Sequence, residues 1–95
     1  MEGFQRKYLR GLAHRLNPIV QVGQSGVTEA VIEAVDAALL DHELIKVRLR
    51  EPENKKAMAA DLARGSKADL CGLVGHTAIL YKAHPKEPVI KLPKK

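Results

Sequence analysis

Ile19-Val20-Gln21-Val22-Gly23-Gln24-Ser25-Gly26-Val27-Thr28-Glu29 is the stretch from which the fold is read. Its first four residues are mostly β-branched, the composition of a short strand. Two glycines three apart follow; glycine carries no Cβ penalty at φ > 0 and lets another backbone come close. Thr28 is placed to cap a helix, with Glu29 favourable in the positive first turn. Val27, Val31, Ala34, Val35, Ala38 and Leu39 then recur at helical spacing, and the helix reaches about His42. The unit is therefore strand, tight turn, helix. The turn has two readings. It is a plain connector, or its bare backbone and the unpaired N–H groups of the helix form a docking site for a phosphate. Four residues alone do not separate the two.

Upstream, residues 4–15 read as a helix whose apolar stripe is Phe4, Tyr8, Leu9, Leu12 and Leu16, with Arg6, Lys7, Arg10 and His14 facing outward. Gly11 weakens that helix by about 1 kcal/mol relative to Ala. Asn17-Pro18 ends it, because a residue before proline is pushed out of the helical region. Downstream, Leu44 to Arg50 alternates, with Ile45, Val47 and Leu49 on one parity and Lys46, Arg48 and Arg50 on the other. That is a strand with one buried face and a row of cations. Glu51-Pro52-Glu53-Asn54 is a turn, and Lys55 to about Ser66 a third helix using Ala57, Met58, Leu62 and Ala60 or Ala63, with Gly65 near its end. Residues 68–74 and 77–82 read as two strands joined through Gly75-His76, a link short enough for an antiparallel hairpin. The tail, 83–95, holds Pro85, Pro88 and Pro93 and four lysines and is expected to be extended, with Val89-Ile90 able to pin part of it.

The order α-β-α-β-α-β-β implies an α/β fold with one small mixed sheet and helices packed on it. Ninety-five residues suffice for one domain with one modest core. That core must be aliphatic, since the chain has one Phe, two Tyr and no Trp. No apolar run approaches a membrane span, and Met1-Glu2-Gly3-Phe4-Gln5 lacks the apolar region of a signal peptide. Cys71 is the one cysteine and is expected to be a buried thiol. A cytoplasmic protein follows from this reading, and nothing in it requires more than a monomer.

The net charge of +5 and a pI near 9.6 favour an anionic partner. The charge is also segregated. Residues 27–43 contain only acids, Glu29, Glu33, Asp36, Asp41 and Glu43, whereas the first helix, the second strand and the tail are basic. One acidic face and at least one basic face are expected. No catalytic constellation accompanies this pattern. Ser25 and Ser66 lack a nucleophile-elbow setting. The glycine turn is neither a P-loop nor a dinucleotide fingerprint, and one Cys with four scattered His gives no metal spacing. A non-enzymatic binding module without a cofactor fits best. Contact of a basic protein with the acidic central helix is the alternative to nucleic acid.

Tyr8-Leu9-Arg10-Gly11-Leu12-Ala13-His14, Asn17-Pro18-Ile19-Val20, Gly23-Gln24-Ser25-Gly26-Val27-Thr28, His42-Glu43-Leu44-Ile45-Lys46-Val47-Arg48 and Gly75-His76-Thr77-Ala78-Ile79-Leu80-Tyr81-Lys82, in this order and spacing, resemble the CRM domain. This RNA-binding family is named for chloroplast RNA splicing and ribosome maturation, and the chain looks like its stand-alone bacterial, YhbY-type form. The resemblance implies a four-stranded mixed sheet similar to the C-terminal domain of a bacterial translation initiation factor. It also implies rRNA of large ribosomal subunit precursors as partner. By position it makes Gly23, Gln24, Ser25 and Gly26 a G-x-x-G loop like that of KH domains. Arg6, Lys7, Arg10 and His14 then form a basic helix beside the loop, and Lys46 and Arg48 a basic strand. Family loops often hold a cation inside the G-x-x-G; here Gln24-Ser25 leaves backbone N–H groups and the Ser25 hydroxyl as donors, without a loop cation. His76 stands where a basic residue is frequent. Charge reversal at Lys7 and Arg10 is then expected to weaken RNA binding without disturbing the fold.

Overall fold

The computed structural model describes residues 1–94. Its elements follow the expected order: α1 (Gly3–Ala13), β1 (Pro18–Val22), α2 (Glu29–His42), β2 (Leu44–Leu49), α3 (Lys55–Ser66), β3 (Asp69–Val74) and β4 (Thr77–Tyr81). The four strands form one sheet in the order β1-β2-β4-β3. β1 and β2 are parallel, while β4 lies between β2 and β3 and runs antiparallel to both. The fold is thus α/β with a mixed sheet.

Side-chain alternation divides the interior in two. Ile45, Val47, Leu49, Ala78 and Leu80 point to one face of the sheet and pack with Val35 and Leu39 of α2 and Ala59, Leu62 and Ala63 of α3. Leu44, Ile79 and Tyr81 point to the other face and pack with Leu9 and Ala13 of α1 and with Cys71. Each fully buried Leu or Val contributes about 1.5–3 kcal/mol over its exposed state. Local signals fix the helix starts. Thr28 Oγ1 accepts from Val31 N–H at 3.2 Å, and Asn54 Oδ1 from Ala57 N–H at 3.1 Å. Gly65 lies near the end of α3, as expected, and faces α2. A Cβ there would sit 2.6 Å from Ile32 Cδ1, so the reason for glycine is helix–helix contact. The left-handed residue that follows α3 is Lys67 (φ 54°).

The first helix departs from expectation. It ends at Ala13, and its buried line is Leu9 and Ala13. Tyr8 and Leu12, expected in the stripe, are 43% and 42% exposed. The sheet area left to α1 is narrow, because Ile90 and Leu92 of the tail cover another part of the same core. Only one line of the helix therefore reaches the sheet, and the neighbouring line, Tyr8–Leu12, faces out. In α3 Leu62 and Ala63 are buried as expected, but Ala59 is buried with them while Ala57 is exposed.

The tail has no helix or strand from Lys82 to Lys94, but it is fastened. Glu43, 3% exposed and at φ 62° just after α2, receives three backbone N–H bonds at 2.8 Å, one from His84 on Oε2 and two from Val89 and Ile90 on Oε1. Its carbonyl also accepts from Lys82 N–H at 2.9 Å. Gln5 Nε2 donates to Pro93 O at 3.3 Å. Val89-Ile90 does pin the tail, through backbone groups as much as through the Ile90 side chain. Lys95 lies outside the described residues.

Candidate nucleic-acid interface

α1 covers only part of its face of the sheet. Beyond it lies an open cleft of about 970 Å³. Lys7, Arg10, His14 and Arg15 border it from α1 and the following turn, and Lys46 and Arg48 from β2. Gly11, Pro18, Val74, Thr77 and Ile79 supply the rest of its wall, and among the described residues no carboxylate contributes. The arrangement follows from period two in β2. Leu44 is buried under α1, and the same parity continues as Lys46 and Arg48 where the helix no longer covers the strand. Five permanent cations around one concavity make a strongly positive local potential, which raises the local concentration of anions.

Two of these cations are also structural. Lys46 Nζ donates to the His14 carbonyl at 3.3 Å, at the C-terminal end of α1 where a cation is favoured. Arg10 Nη1 donates to the Cys71 carbonyl at 2.8 Å. The pairing of β3 with β4 skips between Leu70 and Gly72, so Cys71 sits at a bulge whose carbonyl is free for Arg10. Gly72 makes room for that side chain; a Cβ there would lie 2.7 Å from Arg10 Cδ. Arg10 thus has a second role that the sequence did not show: charge reversal at Lys7 and Arg10 would also remove a bond to the bulge. The thiol of Cys71 is buried, which, with Asp69 nearby, pushes its pKa up to about 11.

The structure separates the remaining candidates from the cleft. Arg6 Nη1 bonds to the Met1 carbonyl, and Arg6 does not border the cleft. Gly23, Gln24, Ser25 and Gly26 form a turn closed by Gly26 N–H to Gly23 O at 3.1 Å, with Gly26 at φ 73°, where glycine is favoured. This loop meets the residues after β2 and the hairpin turn at one end of the sheet. Arg50 N–H bonds to Val22 O, and Leu49 N–H to the carbonyl of His76, whose side chain is exposed. The loop's own depression is shared with Glu51, Glu53 and Asp61. The basic helix and the glycine loop, expected side by side, thus line separate concavities; Arg48 of the cleft pairs with Gln21 of β1, the strand that leads into the loop. Arg15 was not singled out from sequence. Its signal was continuation of the basic run past the end of α1.

The geometry defines an α/β module with a basic cleft on one face of a mixed sheet. Residues 1–82 match the CRS1 / YhbY (CRM) domain. A protein of Haemophilus influenzae named "RNA-binding protein" is 40% identical over 93 residues, which cover 96% of this chain and 93% of that protein. "Probable RNA-binding protein YqeI" of Bacillus subtilis is 39% identical over 95 residues, 98% of this chain and 99% of its own length. The solution structure of SAV1595 from Staphylococcus aureus superimposes with a TM-score of 0.85 at 34% identity, covering 98% of this chain and 99% of that one. The chain belongs to the CRS1/YhbY (CRM) domain family. Among the described residues, no helix is long and apolar enough to cross a membrane.

Proposed function

We propose that this protein binds RNA without catalysing a reaction, and that its target is rRNA of large ribosomal subunit precursors during assembly. The observation that carries RNA binding is the cleft bordered by Lys7, Arg10, Arg15, Lys46 and Arg48, with no carboxylate among the described residues that line it. The names of the relatives agree with it; the rRNA target rests on the family resemblance. Phosphates enter the cleft and displace counterions, so affinity falls with salt. Phosphate contacts position the chain on RNA and leave most sequence reading to other groups. The Gly23–Gly26 loop and His76 take second place in this reading. A backbone approaching the loop from the side of Glu51, Glu53 and Asp61 meets three acids, so the loop serves best by offering backbone donors to a strand arriving along the Gln21–Arg48 edge.

A second reading has its own observation. α2 lies on the opposite face of the sheet, with Glu29 and Glu33 exposed and Leu40 54% exposed. That surface suits a basic ribosomal protein. Cross-linking in cells, read out by sequencing and by mass spectrometry, tests both. Cross-links from cleft residues to large-subunit precursor rRNA are expected. Their absence, with protein cross-links along α2, would replace the first reading by the second.

A further inference from the structure

Gly11 occupies the interior of α1, where glycine costs about 1 kcal/mol relative to alanine. Packing does not explain it, since a Cβ at this position would meet nothing within 4 Å. Gly11 and Lys7 instead border two surfaces at once. On one side is the basic cleft; on the other is a shallow apolar shelf formed by Phe4, Tyr8, Leu12 and Pro93. At Gly11 no side chain stands between the cleft and the shelf. Of the three aromatic residues, Tyr81 is buried and Phe4 half-buried, so Tyr8 is the aromatic ring offered to solvent. A nucleotide has the same two-part character, an anionic backbone and a flat apolar base.

We infer that the cleft and shelf together take unpaired nucleotides, with phosphates held by the cleft cations and a base passing over Gly11 to stack on Tyr8. This deepens the RNA reading above and rests on it. A base in an A-form duplex is stacked within the helix and cannot reach the shelf, so the substrate class is single-stranded or looped RNA. Stacking on one ring is tolerant of sequence, in keeping with the lack of other exposed aromatics. Pro93 completes the shelf because Glu43 and Gln5 hold the tail in place.

The test compares a single-stranded oligo(A) of about eight nucleotides, within the usual site size, with a self-complementary RNA duplex, at fixed salt. Tyr8→Ala is expected to weaken oligo(A) binding by about tenfold, and Tyr8→Phe to restore it. Gly11→Gln puts a side chain between cleft and shelf; it is expected to weaken oligo(A) binding similarly while raising the melting temperature by several degrees, since glutamine is the better helix former. Neither Tyr8→Ala nor Gly11→Gln removes a cation, so the salt dependence of binding is expected to stay that of the wild type, and the affinity of Tyr8→Ala, which lies outside the cleft wall, for the duplex is expected not to change. Wild-type affinity for oligo(A) in Tyr8→Ala and Gly11→Gln would overturn the base site while leaving the RNA reading intact. Failure of the unaltered protein to bind either RNA would overturn both.

Discussion

Replacing Glu43 by glutamine keeps the size of the side chain and removes its charge. The carboxylate accepts three backbone N–H groups, from His84, Val89 and Ile90, each at 2.8 Å. An amide can offer one oxygen. Turned toward Val89 and Ile90, it keeps two bonds in neutral form and sets its own NH₂ against the His84 N–H. Charge-assisted bonds contribute about 1.5–3 kcal/mol and neutral ones about 0.5–1.5, so two bonds weakened by about 1 kcal/mol each and one N–H left without its acceptor, at about 2, come to about 4 kcal/mol. For a chain of this size that is a fall of about 10 °C or more in melting temperature, limited by the free energy with which the tail docks. Burial alone would raise the Glu43 pKa, but the backbone N–H bonds and neighbouring His84 outweigh it and hold the carboxyl below its ordinary value. The folded pKa is therefore depressed. Its stabilisation is full above the unfolded value and is lost as pH falls through the folded one. Urea unfolding of wild type and Glu43→Gln across pH, with amide exchange of residues 84–92, measures this. The gap in stability is expected to be full at neutral pH and to close in acid, with faster exchange in the tail of the variant. Equal stability at neutral pH, or a gap that persists below the carboxylate range, would refute the role assigned to Glu43.

Two further outcomes follow from the same geometry. Arg10→Gln removes the bond to the Cys71 carbonyl and is expected to cost about 1–3 kcal/mol, with faster amide exchange around the β3 bulge; unchanged exchange there would show that the bulge does not depend on Arg10. Cys71, buried and with its thiol pushed up to about 11, is expected to resist alkylation at neutral pH in the folded protein and to react once urea unfolds it, as intact-mass spectrometry would record.

Period two and period 3.6 were clear wherever an element packs along its whole length. In β2 the alternation of Ile45, Val47 and Leu49 with Lys46 and Arg48 foretold both the buried face and the basic face, and Thr28 and Glu29 marked the start of α2 to the residue. The stripe of α1 was misread because two adjacent lines on that helix are apolar, Leu9–Ala13 and Tyr8–Leu12, and a helical period cannot say which one meets a narrow piece of sheet. The role of Glu43 was hidden because the contacts that make it an anchor lie 41 to 47 residues away. The cleft was half legible: the basic helix and strand were named separately, but that they converge, while the glycine loop opens beside Glu51 and Glu53, depends on where α1 crosses the sheet.

The central claim is that cations around one cleft hold RNA phosphates, and the salt dependence of binding tests it most directly. Lys7 and Arg48 are exposed and border the cleft, and among the described residues their side chains make no hydrogen bond or ion pair, so Lys7→Gln with Arg48→Gln is expected to remove charge and leave the fold alone. With all five cations engaged on single-stranded RNA, log K against log salt has a slope of about −3 to −4, at roughly −0.7 for each phosphate neutralised. The double variant is expected to bind more weakly and to lose about 1.4 from the magnitude of that slope. Parallel slopes for the two proteins, or a wild-type slope near zero, would contradict the claim.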